Sequence, residues 1–324
     1  MFSVPVTFVP QFGGADERMR KFLLHEFADA GAKHLVLSSE LIKAVMADHK
    51  FAPQLEKELA AEGLSFMDAH APFGNILDMN CPDPDFRPQM LLRHRLALKI
   101  AASLGVKTIT IHPGSSRFHP EIPLEKHWDL MRDGLDRLLP EAERCGMTIC
   151  IENSMSRAAA PSVVVMLKKE YPTDTLGLCY DSGHAHQLSA GRDHPDAKIR
   201  EYWRQAGSDE PEWDDHILEK MLPQTVSCHL HDNDGSDDTH SMPGDGTINW
   251  SEVIPALKKA PRLQVVQCEV SIIPRYSIRQ VCGKFRELGE LRPRTSAGRL
   301  QNVENSNLNY KPKKCRKLQK GNRP

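Results

Sequence analysis

The sequence predicts an α/β protein, a (β/α)8 TIM barrel with a disordered basic tail at its C-terminus. The first observation is that eight short apolar or β-branched runs alternate with helix-like stretches over residues 1–290. The second is that a metal-competent side chain ends six consecutive runs. With 324 residues, 40% of them hydrophobic, the chain is long enough for such a barrel, which commonly uses about 250 residues.

The eight predicted strands are short β-branched or apolar runs, most of them separated by helix-like amphipathic stretches. A doubly wound open sheet is the alternative architecture, but no glycine-rich phosphate loop follows the first run. In chain order the predicted strands are 4–9, 34–38, 64–70, 107–112, 147–153, 176–181, 225–232 and 263–270.

Most of the connecting stretches have helical periodicity, and several end in a glycine, as helices often do. The stretch 88–105 is the strongest, because its apolar residues recur at helical spacing up to Gly105. A helix is predicted near 215–222, and 275–289 is predicted to close the barrel. The segment 186–215 is a longer excursion without an assigned element.

The charge of the chain divides into an acidic body and a basic tail. Residues 292–324 hold ten Lys or Arg and one Glu, so they carry +9, and the remaining 32 basic and 42 acidic residues leave −10 on the body. The tail has few apolar residues and no periodicity, which is typical of disorder. We therefore predict a catalytic barrel domain at 1–290 and a basic tail at 291–324.

None of the eight cysteines forms a CxxC pair, so neither a zinc ribbon nor a redox motif is indicated. Four of them lie inside apolar runs, where a free thiol behaves as a small hydrophobe, and this favours a reducing compartment. Cys150 and Cys179 each lie two residues before a polar strand end, so they are predicted to face the barrel interior, whereas Cys228 and Cys268 should face the helices. The N-terminus has no basic region and no long apolar stretch. We therefore expect neither a signal peptide nor a membrane span. We expect the protein to be cytoplasmic.

Polar side chains follow the third to the eighth predicted strand. In a (β/α)8 barrel these strand ends meet at one mouth, where the βα loops form the active site. Three further candidates come from the loops, His184 three residues past a strand end and the pair Asp238 and His240. The strand-end residues are His70, His112, Glu152, Asp181, His229 and Glu269.

Taken singly, each residue has a structural explanation, such as a hydrogen-bonded histidine or a carboxylate that starts an Asx turn. Taken together they would bury several carboxylates at one mouth, which costs several kcal/mol unless a cation neutralises them. The sequence therefore predicts a divalent metal. Carboxylates with imidazoles and no thiolate suit Mn²⁺ or Zn²⁺, with Co²⁺, Fe²⁺ or Mg²⁺ as alternatives, and disfavour Ca²⁺.

The motifs DAHAPFG, TIHPG, IEN, CYDSGHAH, HLHDND, DTHSMPGDGTINW and CEV, in this order, resemble the xylose-isomerase-like barrel superfamily. That superfamily includes sugar isomerases and epimerases and the endonuclease IV class of DNA-repair enzymes. The resemblance covers about residues 1–290. It implies one divalent ion held by Glu152, Asp181, His229 and Glu269, with His231 as the alternate to His229.

For a sugar or sugar-phosphate isomerase or epimerase, the resemblance implies that Glu152 and Glu269 exchange a proton next to a metal-polarised carbonyl. His184 would hydrogen-bond a substrate oxygen. The family often has an arginine about six residues past the strand-seven histidine, and this chain has none between Arg204 and Arg262. We expect a small sugar or sugar phosphate as the substrate, and homo-oligomer formation is left open.

The endonuclease IV class matches the chain at five more positions and holds three zinc ions, so up to three ions are an alternative to one. Those positions are His70, His112, His184, Asp238 and His240. The alternative function is therefore a zinc phosphodiesterase acting at abasic DNA sites. The −10 body disfavours nucleic acid as a partner, because DNA affinity rests on Lys and Arg. Another metal-dependent reaction on the same barrel and a structural metal clip also remain alternatives.

Overall fold

The computed structural model describes residues 1–12, 14–190, 196–272 and 274–292. Eight parallel strands close into a barrel in sequence order, and β1 pairs with β8 to complete the ring. The predicted TIM barrel is confirmed. The strands are β1 Val6–Phe8, β2 His34–Leu37, β3 Ser65–His70, β4 Thr108–Ile111, β5 Thr148–Glu152, β6 Leu176–Asp181, β7 Thr225–Leu230 and β8 Val265–Cys268.

Helices connect the strands and bury their apolar faces against the outside of the barrel. The two short 3₁₀ helices are Arg157–Ala159 and Leu222–Gln224. The α-helices are α1 Glu17–Asp29, α2 Ser39–Ala47, α3 Phe51–Ala61, α4 Arg87–Ser103, α5 Leu124–Cys145, α6 Pro161–Glu170, α7 Ser182–Gln187, α8 Ala197–Gln205, α9 Ile217–Met221, α10 Trp250–Leu257 and α11 Ile278–Glu290.

Residues 293–324 lie outside the described part of the chain, and with them nearly all of the predicted tail. Its disorder and the predicted domain boundary at 290 stay predictions. Among the described helices, none is long and apolar enough to cross a membrane.

The segment predicted as an excursion at 186–215 contains the end of α7 and the whole of α8. Helix α8 buries only Ile199 and Trp203, and the Trp203 indole N–H donates to the carbonyl of Met155 at 2.9 Å. Ile199, Tyr202 and Trp203 recur at helical spacing, a signal that the prediction of an excursion without an assigned element did not use. Tertiary contact with the loop after β5 stabilises this short helix.

The cysteines lie on the predicted sides of the barrel wall. Cys228 and Cys268 belong to the core between strands and helices, whereas Cys150 and Cys179 pack with Val226 in a separate buried group. The register of β6 with β7 shifts at this point, and Val226 has no partner in the strand pairing. The shift places the Val226 side chain with Cys150 and Cys179. The described cysteines are all free thiols.

Candidate metal centre

All ten residues predicted for the site lie at one end of the barrel. Glu152 and Asp181 are the last residues of β5 and β6, and His112 and Glu269 directly follow β4 and β8. Because the strands are parallel and in register, their carboxyl ends place these side chains around one opening. The loop after β7 brings Asp238 back over the same opening, within 3.3 Å of His184.

Glu152 lies at the centre of the group and is 4% exposed. Its Oε2 atom lies 3.3 Å from His112 Nε2 and 3.8 Å from His70 Nε2. Its Oε1 atom lies 3.3 Å from His184 Nδ1 and 3.4 Å from His229 Nδ1. The two oxygens of one carboxylate therefore face two different sets of imidazoles, as a carboxylate that bridges two ions would.

Glu269 approaches the same nitrogen of His229 from the neighbouring strand, with Oε1 at 3.1 Å from Nδ1. Ligand atoms of Glu152, Asp181, His229 and Glu269 all lie within 4.8 Å of one another. His229 Nδ1 and Glu152 Oε2 are buried and make no hydrogen bond despite these short distances. The lone pairs therefore converge on a shared region instead of pairing with each other.

A second group of ligand atoms surrounds Asp238. Its Oδ2 atom lies 3.3 Å from His184 Nε2 and 3.2 Å from His240 Nε2, and its Oδ1 atom has no hydrogen-bond partner. The ring of His231 stacks on His240 with centroids 3.9 Å apart, and its Nε2 lies 3.1 Å from Asp181 Oδ2. His229 thus lies between the two glutamates, while His231 lies beside the aspartates.

Backbone carbonyls orient three of the histidines. In each case the Nδ1–H donates to the carbonyl, which leaves Nε2 as a lone pair facing a carboxylate. Two acceptors at this distance need either a second proton or a metal ion between them, and metal-bound histidines are held in this way. The three pairs are His70 to Ala71 at 2.9 Å, His184 to Asn153 at 2.9 Å and His240 to Glu269 at 2.7 Å.

The electrostatics of the site favour positive charge. Burial lowers the pKa of His240, but the hydrogen bond to Asp238 and the charge of Glu269 outweigh it and raise the pKa to about 9. Burial raises the pKa of Glu152, but the charge of His229 and the neighbouring imidazoles hold it well below its ordinary value. A region that stabilises protonated imidazoles and ionised carboxylates in this way also attracts cations.

The loop that carries Asp238 is built around Asp232, which is fully buried. The Asp232 carboxylate accepts from the Gly244 backbone N–H at 2.7 Å and from the Trp250 indole at 2.8 Å. Gly183 is also required, because a Cβ there would come within 2.0 Å of the His231 ring. These contacts fix the loop, and with it the position of Asp238 relative to the strand ends.

Sequence reasoning missed two residues beneath the site. Thr110 Oγ1 lies 3.2 Å from His229 Nε2, on the side of the ring away from the carboxylates. Burial raises the pKa of Asp68 to about 7, against the opposing charge of His229. Both residues stand two positions before a predicted ligand, His112 or His70, so the alternation of strand side chains was a signal that could have identified them.

The donor set fits a divalent ion. Among the described residues there are three groups whose ligand atoms lie within 4.8 Å of one another inside each group. They are His70–Glu152–His229, Glu152–Asp181–His229–Glu269 and His231–His240–Glu269. Each combines imidazole with carboxylate, the donors that Mn²⁺, Zn²⁺ and Fe²⁺ share. Within the site, Glu152 Oε2, His229 Nδ1 and Asp238 Oδ1 are buried and have no hydrogen-bond partner, and such an ion would satisfy them.

A cavity of about 420 Å³ opens above these groups. Its floor includes Glu152 and Glu269, and its wall includes Phe73 and the start of α2 at Ser39. The volume is within the range of small-molecule sites.

Comparison with known proteins identifies the family of the barrel. The profile of the xylose isomerase-like TIM barrel family matches residues 25–282, which is most of the barrel. The chain belongs to this family. Two relatives within reach of sequence comparison are the uncharacterized protein y4fM of Sinorhizobium fredii, 25% identical over 177 residues, and the uncharacterized protein MJ1311 of Methanocaldococcus jannaschii, 27% identical over 199 residues.

The matches to these relatives are partial. They cover 52% of this chain and 47% of y4fM, and 59% of this chain and 59% of MJ1311. The chain thus spans about half the length of the curated relatives it matches.

Three solved structures of family barrels are similar over 88% or 89% of the chain. A D-tagatose 3-epimerase-like protein superposes with a TM-score of 0.67 at 19% identity and is covered over 97% of its length. The 3-keto-D-glucoside 4-epimerase of E. coli superposes with a TM-score of 0.64 at 14% identity and is covered over 98% of its length. A Mycobacterium smegmatis barrel in complex with magnesium superposes with a TM-score of 0.64 at 16% identity and is covered over 96% of its length. At these identities the likeness shows the fold alone.

Proposed function

We propose that the protein is a divalent-metal-dependent sugar isomerase or epimerase. The observation that carries the proposal is the approach of Glu152 and Glu269 to one nitrogen of His229, at 3.4 and 3.1 Å. Two carboxylates that share a metal-binding position are suited to transfer a proton from one face of a substrate carbon to the other. The names of the structural neighbours, which include sugar epimerases, agree with this chemistry.

In the proposed site, Glu152, Asp181, His229 and Glu269 hold the ion, and His231 lies outside this set. When bound, the ion polarises a substrate carbonyl and acidifies the adjacent C–H. One glutamate then removes that proton as general base, and the other returns a proton as general acid. His184 is oriented by the carbonyl of Asn153, so its Nε2 can hydrogen-bond a substrate oxygen.

An uncharged sugar fits the cavity better than a sugar phosphate. Among the described residues that line it, none is Lys or Arg, and Glu40, Glu152, Asp238 and Glu269 are acidic. A phosphate group would meet these carboxylates without the arginine or lysine that phosphate sites ordinarily use. The metal and hydroxyl hydrogen bonds are sufficient to hold a neutral polyol.

A second candidate function is a multinuclear phosphodiesterase. The observation that favours it is that Glu152 bridges two sets of imidazoles and that Asp238 gathers His184 and His240. We infer that in this case two further ions would bind at His70, His112, His184, Asp238 and His240. Two-metal sites of this kind stabilise the attacking and leaving oxygens of a phosphoryl transfer.

Metal stoichiometry and a substrate panel separate the two candidates. The protein is purified without a metal-affinity tag, and bound metals are counted by elemental analysis. One ion per chain with solvent-deuterium incorporation into a free ketose supports the isomerase. Two or three zinc ions per chain with cleavage of an abasic-site oligonucleotide, and no exchange in any sugar, would replace it by the phosphodiesterase.

A further inference from the structure

A second, smaller cleft of about 170 Å³ adjoins the main cavity on the side of the loops after β4 and β5. The two spaces share four lining residues: Phe73, His112, Glu152 and His184. A ligand held at the carboxylates can therefore extend into the cleft without crossing a wall. Its remaining lining includes Pro113, Phe118 and Ala159.

Two partly exposed aromatic side chains border this cleft. Phe73 is 46% exposed and Phe118 is 44% exposed. The Phe73 ring lies 4.6 Å from the His112 ring and 5.1 Å from the His70 ring, so the candidate ligands hold it in place. Exposed apolar surface next to a polar site commonly marks a binding surface.

The loop that presents Phe118 is held by buried polar contacts. Asn80, which is fully buried, donates to the Ser115 carbonyl at 3.1 Å. The Ser116 backbone N–H donates to Ser156 Oγ at 2.9 Å. Gly114 has a φ of 133°, and a Cβ there would come within 1.9 Å of Asn80 Oδ1. Hydrogen bonds to buried side chains thus hold in place a loop that leaves an aromatic ring exposed at the rim.

We propose that this cleft binds the apolar substituent of a glycoside, with Phe118 and Phe73 against its faces. The inference rests on the proposed function, since the sugar ring itself would occupy the main cavity. An aglycone occupies the anomeric carbon, so the carbonyl needed for proton transfer has to be a ring ketone. The substrate class is therefore a keto-glycoside with a small aryl or alkyl aglycone, and Phe118 is a residue that determines specificity.

The chemistry of the cleft selects this occupant over water or a charged group. The carboxylate of Asp78 in its lining is 2% exposed and accepts the Gly74 backbone N–H at 2.9 Å, so it is already engaged. Phe73, Phe118, Pro113 and Ala159 give the cleft its apolar surface. The polar side chains of Ser115, Asn153 and Ser154 in its lining already take part in hydrogen bonds within the protein. Burial of one aromatic ring against them is worth about tenfold in affinity, even when the ring stays partly exposed.

The test compares phenyl and methyl 3-keto-β-D-glucopyranoside as probes of the Mn²⁺-loaded full chain by titration calorimetry. We expect the phenyl compound to bind about tenfold more tightly to the parent protein. Phe118→Ala should reduce this preference to about twofold or less, and Phe118→Leu should keep part of it. The matched control is Phe22→Ala, because Phe22 on the outer helix α1 is 56% exposed and should leave the preference unchanged.

Each result separates the two proposals. Equal affinity of the parent for both glycosides, or a preference that survives Phe118→Ala, overturns the aglycone site. If a free ketose still exchanges its α-proton in that case, the isomerase proposal stands. If neither the glycosides nor any free sugar binds or exchanges, the proposed function itself is overturned and the aglycone site falls with it. Thermal unfolding of both alanine variants checks that they are folded.

Discussion

Thr110 on β4 and His229 on β7 meet across the interior of the barrel, with Thr110 Oγ1 3.2 Å from His229 Nε2. In the neutral tautomer with its proton on Nε2, the His229 ring donates to this hydroxyl, and the lone pair of Nδ1 then faces Glu152 and Glu269. The ring of His229 is fully buried, so no water can replace the contact without rearrangement. A residue outside the predicted ligand set thus orients the central histidine of the site.

Thr110→Val is expected to weaken metal binding by roughly 10–100-fold, because it removes the acceptor that holds His229 in its ligand tautomer. The substitution conserves shape and leaves the proposed ligands in place. Competition of the protein with a fluorescent chelator for Mn²⁺ or Zn²⁺ measures the change. The matched control is Thr108→Val, since the Thr108 hydroxyl is buried on the same strand but has no hydrogen-bond partner. Equal metal affinities in the two variants would contradict the role of Thr110.

Glu152→Gln and Glu269→Gln are each expected to reduce kcat at least about 100-fold, because each removes one partner of the proposed proton exchange. Both variants should also bind the metal more weakly, since an amide is a poorer ligand than a carboxylate. The assay is deuterium incorporation into the substrate at saturating metal, beside a metal titration. Asp237→Asn is the control, because Asp237 is an exposed acid of the same mouth that pairs with Lys198. Full activity in either glutamine variant would refute the assignment.

Removal of the metal is expected to lower the melting temperature of the protein. An ion that binds only the folded state contributes about 2.7 kcal/mol at 100-fold excess over its Kd. Buried acceptors without a hydrogen-bond partner, such as Asp238 Oδ1 and Glu152 Oε2, also lose the positive charge that compensates them. Thermal scans after exhaustive chelation and after Mn²⁺ or Zn²⁺ addition measure the shift. An unchanged Tm would argue that protonated histidines, not ions, satisfy the site.

The buried ion pair of Arg20 on α1 with Glu58 on α3 is expected to make stability depend on pH. The guanidinium contacts both carboxylate oxygens, at 2.6 and 2.7 Å. Burial raises the pKa of Glu58, but the hydrogen bonds from Arg20 and Gln54 outweigh it and leave the pKa below its ordinary value. Because the folded pKa is the lower one, the stabilisation is present above the unfolded pKa of about 4.3 and is lost as pH falls through the folded pKa.

Glu58→Gln should therefore destabilise the fold at neutral pH by roughly 3–5 kcal/mol, since it leaves a buried arginine without its counter-ion. As pH falls below the unfolded pKa of about 4.3 and through the lower folded pKa, the difference from the parent should shrink, because the parent carboxylate becomes protonated as well. Urea unfolding at neutral pH and at several acidic pH values provides the test. A difference that stays constant with pH would show that packing, and not charge, is the source of the effect.

Much of this site could be predicted because the relevant signal is local. Side chains of a strand alternate between its two faces, and parallel strands in a barrel end at the same mouth. Glu152, Asp181, His229 and Glu269 therefore follow from the position of each within its own strand. The same alternation predicts that Cys150 and Cys228 lie on opposite sides of the barrel wall, and the structure agrees with this prediction.

Relationships between distant segments depended on the tertiary structure. The approach of Asp238 to His184 is set by a loop whose conformation rests on the long-range hydrogen bonds of Asp232. His229 and His231 are two residues apart, so strand alternation alone does not distinguish them. Their surroundings differ because the closed barrel brings different neighbours beside each. Phe118 has no sequence signal, because an aromatic residue in a loop is common and only the fold places it beside a polar cavity. Composition and alternation specify which groups reach the mouth, whereas loop closure and strand register decide which atoms face each other.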